Sequence, residues 1–297
     1  MTTVNRTAPD LNDKALLLRS LHRPGEPLVL ANAWDAASAR VIEDAGAQAV
    51  ATTSAGVAWS LGTPDGDCLA RDAALALIAR VAAAVRVPVS ADIESGFADT
   101  AEGVAETVEG VRAAGAVGVN LEDTINRPLD ESGGVAAPRL RAATEQAERI
   151  AAARQAADSR PEPVALYINA RIDTYLTRGT APEARLDETL ARAAAFMAAG
   201  ASGIFVPGVT DPAIVSALVK GIDAPLNILS GPGGPPIPEL AALGVARVSL
   251  GSSVALAAYD LARRAALEAL GEGTYQAIGQ AIAYQDLNSL LEAPPGS

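Results

Sequence analysis

A single cysteine, Cys68, and a single histidine, His22, remove several chemistries from this chain at once. One thiol cannot form an intramolecular disulfide, a thiolate metal cluster or a CxxC redox pair. The imidazole falls in a helical pattern ahead of the first strand, and the cysteine at a helix start with no base in evidence. A Ser-His-Asp triad and a Cys-His hydrolase therefore both lack parts. Aromatic residues are only 3% of the chain, which leaves the core to Ala, Val, Leu and Ile. Clustered Lys and Arg are missing too: the formal net charge of -12 argues against a nucleic-acid partner, because phosphate backbones are held by basic patches. No apolar run reaches the ~20 residues of a membrane span. Residues Met1 to Asp10 lack the basic-then-apolar order of a secretion signal. The expectation is a soluble, cytoplasmic protein with no membrane partner.

What is present is a large apolar fraction, 49% of 297 residues, enough for a sizeable core in a single domain. Short apolar runs alternate with longer Ala-rich helical patterns. Strands are expected near residues 27 to 31, 48 to 53, 87 to 92, 116 to 121, 164 to 169, 202 to 206, 225 to 229 and 245 to 250. Helical spacing covers Ala70 to Val85, Ala101 to Ala114, Leu140 to Ala157, Glu183 to Ala199 and Pro212 to Val219, and several helices end in Ala-Gly, the glycine expected just past a helix C-terminus. The strands are continuous rather than alternating apolar runs, which implies cover on both faces and hence a parallel sheet. Eight such units favour a closed (β/α)8 TIM barrel, spanning about 27 to 270. No GxGxxG follows the first strand, so a dinucleotide fold lacks its main sequence support, and Gly231-Pro-Gly-Gly-Pro-Pro236 lacks the Lys-Ser/Thr of a P-loop. A helix over 10 to 22 precedes the barrel. Ser252 to Leu270 supplies the last barrel helix, and Tyr275 to Leu291 reads as one further helix, to dock on its own barrel or on another subunit. The tail from Ala293 is expected to be loose.

Charge is concentrated at strand ends. The third strand delivers Asp92 and Glu94 into a glycine-bearing loop, the fourth ends in Glu122-Asp123, and the fifth ends in Asn169-Ala-Arg171-Ile-Asp173. In a parallel barrel these ends share one face. Acids there can also cap helices or pair on the surface, but a cluster of them repels itself unless a cation neutralises it. Hard oxygen ligands point to Mg²⁺, with Mn²⁺ possible, and Asp92, Glu94 and Glu122 are the metal candidates. Arg171, whose plainer role is a salt bridge to Asp173 or Glu122, has the planar fork that holds a carboxylate or a developing enolate oxygen. After the second strand, Thr53, Ser54 and Ala55 precede Gly56, where backbone N–H groups can approach an oxyanion. Trp34, just past the first strand, completes the substrate-binding candidates.

Taken together, Leu61-Gly-Thr-Pro-Asp65, Ser90-Ala-Asp92-Ile-Glu94-Ser-Gly96-Phe, Asn120-Leu-Glu122-Asp123 and Asn169-Ala-Arg171 resemble the isocitrate lyase/phosphoenolpyruvate mutase superfamily, over about Leu28 to Ala265. The resemblance implies a Mg²⁺-dependent barrel that binds small 2-oxo or 2-hydroxy carboxylates and stabilises an enolate-like intermediate while a C–C or P–C bond breaks or forms. It places Asp92 on the metal, with Glu94, Glu122 and Asp65 acting directly or through water. It makes Arg171, Glu122 and Asp65 the catalytic candidates and sets Thr53, Ser54 and Ala55 against the substrate carboxylate. It further implies a homo-oligomer, dimer or tetramer, with the C-terminal helix exchanged between subunits. Departures occur in the gating loop. Where members that cleave isocitrate or methylisocitrate carry Lys-Lys-Cys-Gly-His, this chain reads Thr124-Ile-Asn-Arg-Pro-Leu-Asp-Glu-Ser-Gly-Gly134 and offers no thiol. Asn126 and Arg127 do not match the Lys and Asn spacing of the mutase branch, and Val206-Pro207 occupies the region of that branch's histidine. The reading is a lyase or decarboxylase of a small (di)carboxylate, with P–C chemistry and a catalytically silent 2-oxoacid-binding protein as alternatives. Loop 124 to 137 would close over the site about Gly133-Gly134, with Arg127, Asp130 or Glu131 as candidate proton donors.

Overall fold

The computed structural model describes residues 10–126, 137–159 and 163–292. Arg127, Asp130, Glu131, the Gly133-Gly134 hinge and the tail from Ala293 lie outside the described residues. Eight parallel strands form one sheet: β1 (Leu28–Leu30), β2 (Val50–Ala51), β3 (Val89–Asp92), β4 (Gly118–Glu122), β7 (Tyr167–Arg171), β8 (Gly203–Val206), β9 (Leu226–Leu229) and β10 (Arg247–Ser249). A two-stranded antiparallel hairpin, β5 (Thr124–Ile125) with β6 (Arg139–Leu140), lies outside it. The sheet runs β1-β10-β9-β8-β7-β4-β3-β2, and its ends meet at a parallel bridge between Ala33 and Thr52. There the Ala33 N–H donates to Ala51 O at 2.8 Å and the Thr53 N–H to Ala33 O at 2.9 Å. The result is the expected TIM-barrel architecture, α/β with helices outside.

The helices are α1 (Leu11–Ser20), α2 (Ala36–Asp44), α3 (Ser54–Ser60), α4 (Arg71–Ala84), α5 (Ala101–Ala113), α6 (Ala143–Asp158), α7 (Arg185–Ala198), α8 (Pro212–Gly221), α9 (Ile237–Ala242), α10 (Ser253–Gly271) and α11 (Tyr284–Glu292). Their starts are chemically marked. Asp35 and Ser38 form a capping box at α2, and Asp211 accepts from the N–H groups of Ala213 and Ile214 ahead of Pro212. Between helices and sheet lies a continuous layer of Val, Ile, Leu and Ala, including Ile78, Val108, Ile150 and Val215. The helix α1 plugs the N-terminal end of the barrel, where Ala15 and Leu18 join Leu28, Leu30 and Tyr167. Gly118 is needed there, because a Cβ would come 2.8 Å from Leu18 and 3.0 Å from the Ser90 hydroxyl.

Two expectations are corrected. Leu140 starts no helix: with Arg139 it pairs against Thr124 and Ile125, and α6 begins three residues later. Tyr275 to Leu291 is not one helix either. The Glu268 carboxylate accepts from the N–H groups of Gln276 and Ala277 at 2.6 and 2.7 Å, which folds Gln276–Ile278 into a 3-10 turn, and only Tyr284–Glu292 is helical. The helix α11 lies against α2 of its own chain, with the Arg40 guanidinium donating to Leu290 O at 2.9 Å. The expectation of an Ala, Val, Leu and Ile core holds for the outer layer and for the plugged end, but not for the barrel's middle. Inside the barrel the strands present Ser90, Asn120, Asn169, Asn227, Arg247 and Ser249, all buried, where such barrels are usually filled by branched aliphatics.

Candidate active site

Asp92 closes β3, with its amide donating to Thr52 Oγ1 at 2.9 Å. Its Oδ2 accepts from the Ser54 N–H at 3.2 Å and the Ser54 hydroxyl at 2.9 Å, while its buried Oδ1 has no partner. One oxygen is pinned and the other is on offer. Ser54 opens α3, and Gly56 allows that turn to pack tightly, since a Cβ there would sit 2.8 Å from Thr53 Cγ2 and 2.9 Å from Trp34 Cβ. Thr53, Ser54, Ala55 and Trp34 thus form one corner beside Asp92. Both Ser54 donors are spent on Asp92, so Ser54 positions that carboxylate in this structure.

The second corner is built on β4 and β7, where Glu122 and Arg171 are in register. Arg171 Nη1 meets Glu122 Oε2 at 2.7 Å, and its Nε and Nη2 donate to the two oxygens of Asp173 at 2.7 and 2.9 Å. The guanidinium lies 5.9 Å from the centroid of Phe205. Burial acts to lower its pKa, but Glu122 and Asp173 outweigh it and hold Arg171 firmly protonated. Asp123, fully buried, ties this corner to the shell: it accepts from the Asp173 N–H at 2.9 Å and pairs with Arg192 of α7 at 3.1 Å.

The rim comes from the loops after β2 and β3. Glu94 is buried and accepts from the Asp67 N–H, and Asp67 Oδ1 in turn accepts from the Ser95 N–H at 3.3 Å. Asn126 Nδ2 bridges Asp67 Oδ2 and Glu122 Oε1, each at 2.7 Å. Asp67, Glu94 and Phe97 all have positive φ, between 49° and 55°. That left-handed backbone costs roughly 1–3 kcal/mol for a non-glycine residue and concentrates at functional sites. Helix capping does not explain these acids, because α5 is capped by Thr100, whose side chain accepts from the Gly103 N–H at 3.2 Å.

Crowding shows in the acidities. Burial, then the charges of Asp67, Asp65 and Asp92, push the Glu94 carboxyl up to about 8, and burial with the charge of Asp173 raises Asp123 to about 7. Asp65, on the open rim, is raised by desolvation and by Asp92. Burial pushes Glu122 up as well, opposed by Arg171. Such a set stores electrostatic repulsion that a divalent cation would relieve. Among the described residues no three acidic side chains converge into a closed cage. Glu94 and Glu122 already have partners, and among the described residues Asp92 Oδ1 is the buried carboxylate oxygen without one, which makes it the candidate for direct ligation and leaves the others to act through water. That donor set suits Mg²⁺, which keeps several waters and takes few carboxylates.

The described site residues expected from sequence, Trp34, Thr53, Ser54, Ala55, Asp65, Asp92, Glu94, Glu122 and Arg171, therefore gather at the C-terminal strand face. His22 does not: it stacks on Tyr167 at 3.8 Å in the opposite end of the barrel. The Cys68 thiol donates to Asp65 O and Gly66 O at 3.6 Å. The bridging role of Asn126 was not legible, since it depends on where the hairpin turns. Arg149 of α6 was missed as well. It is buried and donates to the carbonyls of Ser95, Ala98 (2.8 Å) and Asp99 (2.9 Å), holding the loop that carries Glu94.

The profile of the phosphoenolpyruvate phosphomutase family matches residues 18–270. An uncharacterized protein of Mycobacterium tuberculosis is 37% identical over 91% of this chain and 94% of its own length. An oxaloacetate decarboxylase of Bradyrhizobium is 32% identical over 67% of this chain and 65% of its own. A crystal structure from Burkholderia cenocepacia, of a protein described provisionally as a lyase/mutase, superposes with a TM-score of 0.82 at 40% identity, covering 96% of this chain and 97% of that one.

Proposed function

Because the chain belongs to the isocitrate lyase/phosphoenolpyruvate mutase superfamily, a superfamily of enzymes, we propose that it is a Mg²⁺-dependent lyase or decarboxylase that cleaves a C–C bond in a small 2-oxo or 2-hydroxy (di)carboxylate. The observation that carries this reading is the pairing, on one barrel face, of a carboxylate with one free buried oxygen, Asp92, and a guanidinium fixed by two acids, Arg171.

Asp92 would hold the metal directly, with Glu94, Glu122 and Asp65 ordering its waters. Bound there, Mg²⁺ would supply Lewis-acid stabilisation of negative charge on a carbonyl or enolate oxygen. The protein's own residues do the rest. Arg171 cannot swing or lose its proton, so it offers a preorganised positive charge where an enolate oxygen develops. Thr53, Ala55 and Trp34 wall the side beside Asp92 and orient the substrate carboxylate. Asn126, with its amide shared between Asp67 and Glu122, couples the rim to the β5–β6 hairpin. Asp123 and Asp173 act through Arg171 and are positioning residues.

A homo-oligomer belongs to the same proposal. The helix α10 exposes Leu256, Leu267 and Leu270, while a groove of about 450 Å³ between β1 and α2 is lined by Leu28, Val29, Ala31, Val41 and Ile42. An exposed apolar helix and an uncovered apolar groove in one chain support exchange of the C-terminal segment between subunits.

The test is a turnover screen of oxaloacetate, methylisocitrate, dimethylmalate-type acids and phosphonopyruvate with Mg²⁺. Release of pyruvate or another 2-oxoacid from a C–C substrate, abolished by EDTA, is the expected result. Phosphorus NMR showing inorganic phosphate or phosphoenolpyruvate from phosphonopyruvate alone would overturn C–C cleavage in favour of P–C chemistry. Oxalate binding without any turnover would make the protein a binding module.

A further inference from the structure

Arg247 is a charge that the chemistry above leaves unused. It sits on β10 inside the barrel with no exposed surface. Its Nη2 donates to Asn120 Oδ1 at 3.2 Å and its Nε reaches Ser249 Oγ at 3.4 Å, while Nη1 has no partner. Among the described residues no carboxylate pairs with it. The other buried arginines are held more fully: Arg192 by Asp123, Glu188 and a carbonyl, Arg40 by Glu43 and a carbonyl, Arg141 by Glu145, and Arg149, which also lacks a carboxylate, by three carbonyls. Burying an unpaired guanidinium is expensive, and a Leu or Met would tie β10 to the core at less cost. Burial lowers its pKa to about 10, against the pull of Tyr167 and Asp92, which still leaves it charged at neutral pH.

Its neighbours say what the charge faces. Asn120 Oδ1 also accepts from Asn169 Nδ2 at 2.9 Å, so these two amides and the guanidinium form one fixed polar layer. Asn120 stands in register with Asp92, whose Oδ1 is buried and has no partner. Toward the other end lie Tyr167 and His22, both uncharged at neutral pH. The charge of Arg247 helps keep His22 neutral at that end, and at the other it interacts with Asp92, so its positive field reaches whatever binds beside Asp92, and salt screens it little because protein surrounds it.

The geometry points to Arg247 as an electrostatic floor for the active site, a fixed cation that weakens divalent-metal binding to the empty pocket and strengthens binding of the oxyacid anion, so that metal is retained mainly when an acid enters with it. This rests on the metal-plus-oxyacid reading and adds to it a residue one layer below any ligand. Arg247 is a positioning residue in this role, since it touches neither metal nor substrate.

The experiment is calorimetric, on the full chain and on Arg247→Met, Arg247→Gln and Arg247→Lys. Mg²⁺ is titrated without acid, and oxalate is titrated in saturating Mg²⁺, each at low and high NaCl. Losing the charge is expected to tighten Mg²⁺ and to weaken oxalate, each by roughly tenfold, at both salt concentrations, while Lys stays within about threefold of wild type in both. Opposite signs are the signature, because loss of a merely structural tie would weaken both ligands together. Weakening of both, or no change in either, in a folded variant would overturn the proposal. Gln keeps a donor for Asn120 and serves if Met fails to fold. Wild type that takes up no Mg²⁺ even with oxalate present would reject the metal reading itself, a result distinct from normal wild-type binding with unshifted variants.

Discussion

Glu94 puts the site's electrostatics to a direct test at the scale of one residue. In the unfolded chain its carboxyl titrates near 4.5, and in the fold it is pushed up to about 8. Across that window the folded protein keeps a proton the unfolded chain has released. Its contribution to stability is therefore full below about pH 4.5 and is lost as pH rises toward 8, at up to about 1.4 kcal/mol per pH unit. Melting curves in EDTA should show this decline, Glu94→Gln should flatten it, and added Mg²⁺ should flatten it in wild type by favouring the ionised form. A decline that survives in Glu94→Gln with unchanged slope would assign it to Asp123 or Glu122. Asp92→Asn keeps the shape and the acceptor toward Ser54 but discards the charge. Turnover should fall by at least about a hundredfold, since residues that only support metal ligands are already worth about ten- to a hundredfold. Near-wild-type rates would remove Asp92 from the metal.

At the scale of elements, the plug α1 makes a checkable demand. Leu18 is completely buried against Gly118 and Tyr167, so Leu18→Ala should cost about 2–5 kcal/mol in denaturant unfolding, with the active-site face unchanged. A cost below about 1 kcal/mol would mean that the plug is dispensable. The elements were largely legible in the sequence because each barrel strand is a short apolar run between helical patterns. The placing of the candidate site was legible because β3, β4 and β7 carry Asp92, Glu122 and Arg171 at their ends. What escaped was set by contacts between distant residues. Leu140 was drawn into a hairpin by Thr124 across a gap of sixteen positions, Glu268 folded Gln276–Ile278 into a turn, and the polar barrel interior depends on which strand faces inward. Ser54, expected against a substrate carboxylate, turned out to spend its donors on Asp92, something spacing alone cannot show.

The whole molecule leaves apolar surface that a lone chain has no use for, with Leu270 88% and Leu267 66% exposed on α10. Sedimentation at micromolar concentration should give a dimer or tetramer, and a chain ending at Gly271 should shift toward smaller species if the last segment is exchanged. A monomer in both cases would refute the exchange. Among the described residues no helix is long and apolar enough to cross a membrane. The barrel gathers on one face an anionic ring with, among the described residues, one buried carboxylate oxygen that lacks a partner and a guanidinium fixed by two acids, and the account depends on that face taking a metal and an oxyacid together. Calorimetry of oxalate binding with and without Mg²⁺ examines it most directly. Oxalate should bind strongly only when Mg²⁺ is present, and Asp92→Ala should abolish that dependence; equal affinity with and without the metal, or no binding in either, would contradict it.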